Sequence, residues 1–269
     1  MVQAENISYY IGAMPIVDKV SFEALQGEIL VVLGANGAGK STLLKIITGQ
    51  LQPAVGKISI QGKLLQQWRN DERAQFSAVL QQHNNLSLPF TVSEVVMMGR
   101  YPHFKKQPTV LDKTIVRSAL KKAGIDKFSD RNYLSLSGGE KQRVHLARVF
   151  AQIWFAANFE TRYLFMDEPS NNLDIRHQHT SLQMAREFAA EGNCVIAILH
   201  DLNLALQYAD KILMLKQGEV IGSGKPDDIL CEKTISKMYD MPLQICHHPD
   251  YSHPIVMPAI QSKNQFINK

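Results

Sequence analysis

Cysteine is scarce in this sequence, and its distribution argues against a disulfide framework or a zinc site. The three cysteines, Cys194, Cys231 and Cys246, are far apart and lack metal-ligand spacing. No apolar run approaches the roughly 18 residues that a membrane-spanning helix requires. The first residues lack a basic region followed by an apolar stretch, so we expect no secretory signal. These absences predict a soluble chain in a reducing, intracellular compartment.

Neither sign of charge dominates, and glycine and proline are not enriched. The 29 basic and 25 acidic residues leave a formal net charge of +4. No dense Lys/Arg block is present, and short pairs such as Lys105-Lys106 are typical of solvated faces, so we expect no nucleic-acid partner. With 45% hydrophobic and 20% charged residues, the 269-residue chain is not disordered and can bury the core of one large α/β domain.

Short apolar runs alternate with helical patterns, which indicates the strands and crossover helices of a mostly parallel sheet. The clearest predicted strands are residues 28–33, 163–167, 194–199 and 211–215. Each run is continuously apolar, as expected for strands that are covered on both faces. Residues 2–25 alternate more and carry turn residues near 12–15, so we predict antiparallel strands beside the main sheet.

A block with helical patterning separates the predicted strand at 28–33 from the predicted strand at 163–167. Within residues 86–158 the pattern favours helices at 91–98, 112–123 and 138–154. We therefore predict one domain over residues 1–269. Its parts are a core (1–85 and 159–224), an inserted helical subdomain (86–158) and a tail (225–269) that begins as a short helix and becomes irregular from Pro242.

A phosphate-binding loop follows the first long strand. Gly34-Ala-Asn-Gly-Ala-Gly-Lys-Ser41 matches G-x-x-x-x-G-K-[ST] in full. Its backbone amides and the following helix N-terminus suit phosphate oxygens. Lys40 is expected to reach the β- and γ-phosphates, Ser41 to ligate Mg²⁺ and Thr42 to contact the α-phosphate. A chance glycine-rich turn is the alternative, but the order strand, loop, helix argues against it. The predicted nucleotide contacts are Gly34, Asn36, Gly37, Gly39, Lys40, Ser41 and Thr42.

Two adjacent carboxylates end the predicted strand at 163–167. Asp167 at the strand end suits a Mg²⁺ role, either directly or through water. Glu168, one residue later, suits a general base that polarises the attacking water. Taken alone, a buried strand ending in Asp-Glu is more often a structural turn or cap. After a phosphate loop, it indicates catalysis.

Leu136-Ser-Gly-Gly-Glu140 resembles the signature motif of ABC ATPases. Locally, an ordinary helix capped by Ser137 would explain it as well, but the two preceding motifs favour the family. The resemblance implies the P-loop NTPase fold of ABC ATPases, with ATP hydrolysed between two copies of the chain. The nucleotide on the phosphate loop of one copy would then meet Ser137, Gly138, Gly139 and Glu140 of the other.

Four further positions resemble functional positions of the same family. Gln82 resembles the Q-loop glutamine, which contacts Mg²⁺, senses the γ-phosphate and faces the membrane subunit, although Gln81 stands where close relatives have proline. His200 resembles the switch histidine. Tyr9 resembles the aromatic residue that stacks on adenine, with Tyr10 as the alternative. Asp174 ends a segment, Ser170-Asn-Asn-Leu-Asp174, that resembles the D-loop at the dimer contact.

Three classes of ABC protein compete for this chain. Exporter ATPases are usually fused to membrane spans, soluble translation factors carry two cassettes, and repair proteins contain long coiled coils. None of these features is present, so an importer subunit is favoured; a separate-subunit exporter ATPase and a soluble ABC protein remain the alternatives. An importer would pair two ATPase subunits with two integral-membrane permeases and, indirectly, a periplasmic binding protein. The chain would lie peripherally on the cytoplasmic face of the bacterial inner membrane.

Residues 88–103 are similar to the segment found in importers of iron-siderophore complexes, haem and cobalamin. Haem importers resemble the chain most closely, through a Trp-containing connection at 151–162, His177-Gln178-His179 and His248-Pro249. Siderophore or cobalamin import is the alternative. The histidines at 247, 248 and 253 would ligate iron only if they clustered, and a solvated tail explains them better. His177 and His179 are likewise expected to face solvent.

Overall fold

The computed structural model describes residues 1–82, 86–155, 159–169, 174–250 and 253–259. The first half of the chain forms β1 (Val2–Ile11), β2 (Met14–Ala24), β3 (Ile29–Leu33), α1 (Lys40–Ile47), β4 (Val55–Ile60), β5 (Lys63–Leu64), α2 (Asn70–Phe76), β6 (Ser77–Leu80), α3 (Val92–Met97), α4 (Val110–Lys122) and α5 (Gly138–Gln152). The second half forms β7 (Tyr163–Asp167), α6 (Ile175–Ala190), β8 (Cys194–Ile198), α7 (Leu202–Tyr208), β9 (Lys211–Lys216), β10 (Glu219–Gly224), α8 (Pro226–Ile229), α9 (Glu232–Tyr239), β11 (Leu243–Cys246) and β12 (Ile255–Pro258).

The central sheet has six strands in the order β10-β9-β3-β8-β7-β6. All neighbours are parallel except the antiparallel pair of β9 and β10. Alternate residues of β3 lie in different core clusters, because successive side chains of a strand point to opposite faces. Ile29, Val31 and Leu33 pack with α5 and α6, whereas Leu30 and Val32 pack with β1, β2 and α1. Burial on both faces explains the continuous apolar run and confirms the predicted mostly parallel sheet.

A second, antiparallel sheet covers one face of the first, in the order β2-β1-β4-β5. Val2, Ala4 and Ile7 of β1 are buried beneath it. The alternation breaks at Asn6, which has a positive φ of 50°, and the pairing register with β2 shifts at the same place. The prediction of antiparallel strands beside the main sheet is confirmed.

Helices α3, α4 and α5 pack around a core of their own. Each begins with the same local device, in which a hydroxyl caps the helix and a carboxylate three residues later reaches back. The three pairs are Thr91 with Glu94, Thr109 with Asp112, and Ser137 with Glu140. All three predicted helices are confirmed, and α4 begins at Val110 rather than at residue 112 because Thr109 is its cap. Among the described helices, none combines the length and the apolar character that spanning a bilayer requires.

Within the described residues 243–250 and 253–259 of the tail, two short strands form where an irregular end was predicted, so that prediction is wrong for residues 243–246 and 255–258. Strands β11 and β12 form an antiparallel hairpin, and Leu243 and Val256 join the main core cluster. The side chain of Asn203 closes this junction: it donates to the Val256 carbonyl over 3.2 Å and accepts from the Val256 amide over 2.8 Å. Tertiary contacts with α7, rather than local propensity, therefore order these short strands.

Candidate functional site

The predicted site residues meet at the edge of the main sheet where the parallel strands end. Strand β3 leads into Gly34, β6 leads towards Gln82, β7 ends at Asp167, and β8 leads to His200. The register brings these ends level, since Leu80 pairs with Met166 and Asp167 pairs with Ile198. Motifs that are far apart in sequence are therefore adjacent in space, as expected at the carboxyl edge of an α/β sheet.

The phosphate loop requires glycine at two positions for steric reasons. A Cβ at Gly34 would lie 2.4 Å from the carbonyl oxygen of Leu215, and a Cβ at Gly39 would lie 2.4 Å from that of Ile16. Gly39 also has a φ of 95°, which disfavours other residues. It caps α1 without any side-chain hydrogen bond, and no acidic residue occupies the first turn. The N-terminal amides of α1 therefore face the loop without a protein side chain as their cap, which suits an anion.

Lys40 lies at the centre of this loop and is almost fully buried, with 5% of its surface exposed. Its ammonium donates to the carbonyl oxygens of Gly34 and Ala35 over 2.8 and 3.0 Å. Burial lowers the pKa of Lys40, and the charges of Glu168 and Asp167 oppose that shift. The cation is thus held in place by backbone carbonyls, beside two carboxylates.

A cleft of about 290 Å³ lies over the loop. It is lined by Asn36, Gly37, the start of α1 with Ser41 and Thr42, and Glu168. An adjoining cleft of about 270 Å³ contains Ser41, Asp167 and Gln82. The Ser41 hydroxyl donates to Oδ1 of Asp167 over 3.3 Å. A hydroxyl, a carboxylate and a side-chain amide are oxygen ligands of the kind that Mg²⁺ prefers, so the residues present fit that ion.

Glu168 is held between two other predicted site residues. Gln82 donates through Nε2 to one carboxylate oxygen of Glu168, and Nε2 of His200 pairs with the other. Glu168 is 8% exposed and has a positive φ of 53°, a strained conformation for a residue with a side chain. Its amide donates to the carbonyl of Ile198 over 3.2 Å. The backbone and both carboxylate oxygens are therefore restrained at the lip of the phosphate-loop cleft.

The two carboxylates influence each other electrostatically. Burial raises the pKa of Asp167, and the neighbouring charge of Glu168 raises it further. The hydrogen bond from Ser41 and the charges of Lys45 and Lys40 act in the opposite direction. The hydrogen bond and the two lysine charges therefore do not offset the effects of burial and of Glu168 on the pKa of Asp167. This is the environment expected of a carboxylate that receives a cation.

The Ser-Gly-Gly-Glu segment does not line its own chain's phosphate-loop cleft. Ser137 caps α5 by accepting from the Glu140 amide, and the Glu140 carboxylate accepts from both the amide and the hydroxyl of Ser137. Ser137 and Gly138 are exposed, and a Cβ at Gly138 would meet no atom within 4 Å. Gly139 lies in the first turn of α5. This helix N-terminus therefore presents an open surface away from the loop of the same chain.

Tyr9 does not line the cleft over the phosphate loop. It pairs with the buried Val17 and packs against the second core cluster, while Tyr10 lies towards the hairpin tip opposite Pro15. The strand residue that lines the loop cleft is Ile16, which the sequence prediction missed. Ile16 is the extra residue of a register shift, because it lies between Val17, which pairs with Tyr9, and Pro15, which pairs with Tyr10. The alternation of side chains along a strand does not predict such a shift.

Asp174 caps α6 and accepts from the amide of His177 over 2.9 Å. It also pairs with Nδ1 of the same histidine over 2.7 Å, so within this chain its carboxylate serves the start of α6. Residues 170–173 of the predicted D-loop lie outside the described residues. His179, which was expected to face solvent, is only partly exposed, and its ring is bonded to the hydroxyl of Tyr208 over 2.8 Å.

The tail histidines stand on or beside the β11–β12 connection. Nδ1 of His248 lies 3.8 Å from a carboxylate oxygen of Asp250, and Nδ1 of His253 lies 3.3 Å from the Pro254 carbonyl. Within the described ranges, no group of three or more His, Cys, Asp or Glu side chains is arranged to hold a metal ion. These histidines do not form part of the site at the sheet edge.

Comparison with known proteins agrees with this geometry. The sequence model of the family described as ABC transporter matches residues 17–171, which include the phosphate loop, the acidic pair and the Ser-Gly-Gly-Glu segment. The chain belongs to the ABC transporter family. Because members of this family are ATPases, the nucleotide of the phosphate loop is ATP.

Individual relatives extend the likeness of this ABC transporter ATPase to nearly its whole length. A hemin import ATP-binding protein of Gloeobacter violaceus is 45% identical over 96% of this chain and 94% of its own. A protein of the same name from Pseudomonas aeruginosa is 41% identical over 96% of this chain and 99% of its own.

Solved structures show the same fold. The chain resembles a metal-chelate type ABC transporter in an inward-facing conformation, with a TM-score of 0.80, 25% identity and coverage of 96% of this chain and 97% of that one. It also resembles a bacterial ABC transporter cassette solved as a dimer, with a TM-score of 0.72, 26% identity and coverage of 84% and 98%. The predicted P-loop NTPase fold of ABC ATPases is confirmed.

Proposed function

We propose that this chain is the ATP-hydrolysing subunit that energises import of haem across the bacterial inner membrane. Two observations support the proposal. The site holds Glu168 between Gln82 and His200 at the lip of a phosphate-loop cleft. Relatives that are named hemin import ATP-binding proteins are 40–45% identical over 96% of the chain. The first observation supports the reaction, and the second supports the cargo.

The proposed chemistry assigns each side chain at the sheet edge one role. The loop amides of Gly34 to Gly39 and the ammonium of Lys40 bind the β- and γ-phosphates, and Thr42 contacts the α-phosphate. Ser41, Asp167 and Gln82 would hold Mg²⁺, which supplies positive charge to the phosphates when bound. Asn36 contributes a loop contact from the rim of the cleft. The proposed stacking of Tyr9 on the base stays a prediction.

Hydrolysis needs a base that takes a proton from the water attacking the γ-phosphorus. We assign this role to Glu168, because it lines the loop cleft and each of its two carboxylate oxygens is held by a neighbouring side chain. Gln82 and His200 orient the carboxylate before the reaction. We also propose that His200, whose ring lies beside Glu168, contacts the γ-phosphate once the cleft is filled.

The complete site is proposed to need a second copy of the chain. Ser137, Gly138, Gly139 and Glu140 present an open helix N-terminus that does not reach the loop of their own chain. In a head-to-tail homodimer this surface would close over the partner's ATP, with Asp174 near the contact. The dimeric state of a solved cassette with the same fold supports this arrangement.

The remaining assignments concern architecture and partners. We propose one ABC ATPase domain with a core at 1–85 and 159–224, a helical subdomain at 86–158 and a tail at 225–269. Two integral-membrane permeases would bind the dimer at the cytoplasmic face of the inner membrane, and a periplasmic binding protein would deliver the cargo to them. Import of another metal chelate, such as a ferric siderophore or cobalamin, is the second candidate, favoured by the metal-chelate type neighbour.

Glu168→Gln tests the reaction. Glutamine keeps the shape of Glu168 and one acceptor oxygen but takes no proton from water, so turnover should fall about 10²–10⁴-fold while ATP still binds. The ATP-bound variant should accumulate as a dimer in size-exclusion chromatography. Glu219→Gln, at an exposed position on β10, is the matched control and should hydrolyse ATP normally. Normal turnover by the Glu168 variant would show that the base is assigned wrongly.

A transport assay tests the cargo. The chain would be reconstituted with its permease in vesicles, and uptake of haem, a ferric siderophore and cobalamin would be compared with and without ATP. We expect ATP-dependent uptake of haem, and none with the Glu168→Gln subunit. Uptake of a siderophore or cobalamin in place of haem would overturn the cargo assignment and leave the ATPase assignment intact.

A further inference from the structure

Two glutamine side chains tie α5 to the main core at its two ends. Near the start of the helix, Nε2 of Gln142 donates to the carbonyl oxygen of Pro169 over 3.1 Å. At its end, Nε2 of Gln152 donates to the carbonyls of Ala74 and Ser77, each over 2.9 Å. Both anchors are neutral hydrogen bonds to backbone carbonyls outside α5. They are chemically alike, but they differ in what lies next to them.

The Gln142 anchor is adjacent to the proposed catalytic base. Pro169 follows Glu168 directly, and it is buried, so its carbonyl requires a donor from within the protein. Glu168 itself has the strained φ of 53°, and such a conformation persists only where the surroundings hold it. The Glu168 amide donates to the Ile198 carbonyl, and the carbonyl of the next residue, Pro169, accepts from Gln142. The Gln152 anchor at Ala74 and Ser77 contacts neither of these two hydrogen bonds.

Gln142 also lies one turn from the exposed Ser137–Glu140 surface on the same rigid helix. Buried residues along α5, such as Val144 and Leu146, pack into two different core clusters, so the helix is expected to shift as a unit. The start of α5 therefore contacts the backbone that follows β7.

We propose that Gln142 is a positioning residue that couples the two ATP sites of the dimer. The inference rests on the proposed function. When the partner's ATP engages the N-terminus of α5, the helix would shift, and the Gln142–Pro169 hydrogen bond would carry that shift to the backbone beside Glu168 of the other site. Each site would then be aligned for hydrolysis only when its neighbour is filled.

The test compares Gln142→Met with Gln142→Lys and Gln152→Met in the full-length chain. Methionine keeps the length of glutamine and removes the donor, whereas lysine keeps a donor that can reach the Pro169 carbonyl. Gln152→Met removes two hydrogen bonds at the other end of the same helix, so it is a stricter structural control. ATPase rates against ATP concentration, binding of a fluorescent ATP analogue and thermal unfolding would be measured for each.

We expect Gln142→Met to lower kcat about tenfold to a hundredfold, because a small misplacement of a catalytic group has that effect. Affinity for the analogue should stay within about twofold of the wild-type value, because Gln142 does not contact the nucleotide and its loss leaves ground-state binding unchanged. The Hill coefficient should fall from about 2 towards 1, since two coupled sites set the upper limit. Gln142→Lys should restore most of both values, and Gln152→Met should lower only the unfolding temperature.

Three outcomes would overturn the proposal. The first is a wild-type kcat and Hill coefficient for Gln142→Met, and the second is an equal kinetic loss for Gln152→Met, which would show a general packing effect. The third applies if Gln142→Met fails to fold: a folded Gln142→Lys chain with low kcat and no cooperativity would then refute the donor role. Failure of the wild-type chain to bind or hydrolyse ATP would instead refute the proposed function itself.

Discussion

Replacing Arg100 by methionine removes one half of an ion pair buried between α4 and the end of α5. The side chains of Arg100 and Asp112 are 3% and 4% exposed, and Nε of Arg100 lies 3.0 Å from Oδ1 of Asp112. The guanidinium also donates to the carbonyl of Ala151 over 2.8 Å. Methionine fills similar space without a donor. The variant therefore leaves a buried carboxylate with only the Thr109 donors and leaves a helix carbonyl unpaired.

The expected loss is large for a single exchange. Removing one partner of a buried ion pair costs about 3–5 kcal/mol. In a chain of this size each kcal/mol lowers Tm by about 2–4 °C, so Arg100→Met should unfold roughly 6–20 °C below the wild type. Arg100→Lys keeps the charge but loses the fork that serves Asp112 and Ala151 together, so its Tm should lie between the two.

The pH dependence gives an independent check on the same pair. Burial opposes ionisation of Asp112, but hydrogen bonds from Thr109 and Arg100 outweigh it and lower the pKa of the carboxyl. A depressed carboxyl pKa stabilises the fold above the unfolded-state pKa, and this stability is lost as pH falls through the folded-state value. The difference in Tm between wild type and Arg100→Met should therefore shrink towards acid pH.

Thermal unfolding followed by circular dichroism would measure these differences. Arg69→Met is the matched control, because Arg69 forms an ion pair with Asp71 in which both side chains are largely exposed, at 73% and 61%. Exposed pairs contribute little to stability, so the control should unfold close to the wild type. If Arg100→Met shifted Tm no further than Arg69→Met, the argument from buried charge would be wrong.

Two further predictions concern Asp167 and the tail hairpin. Burial and Glu168 raise the pKa of Asp167 in the folded chain. The ligand-free fold therefore loses stability as pH rises from the unfolded-state pKa through the folded-state pKa and the carboxyl ionises. Asp167→Asn removes this loss, so it should raise Tm at neutral pH, with a gain that fades as pH falls. An equal gain at every pH would contradict this reasoning. Asn203→Ala removes both hydrogen bonds to Val256 and should cost about 1–3 kcal/mol. Limited proteolysis should then cleave the chain faster after Cys246, whereas an unchanged cleavage rate would show that the hairpin does not depend on Asn203.

Local patterns predicted most of the scaffold because each depends on neighbours in sequence. Apolar runs such as residues 28–33 indicated buried parallel strands, and helical patterning indicated α3, α4 and α5, although the cap at Thr109 that starts α4 was not recognised. The phosphate loop was also readable, since its glycines are required by close backbone contacts at Gly34 and Gly39. The tail was not, because the pairing of β11 with β12 depends on Asn203, some 50 residues earlier.

By itself, the sequence determined the family, the nucleotide and the identity of the residues at the sheet edge. These follow from motifs in which chemistry and spacing are encoded together over a few residues. Only the tertiary structure decided which atoms meet: Gln82 and His200 on the two oxygens of Glu168, Ile16 rather than Tyr9 at the loop cleft, and Gln142 on the carbonyl of Pro169. Such contacts join distant parts of the chain through strand register and side-chain packing. A linear pattern does not contain that information, because the same residue types at the same spacing are compatible with many partners.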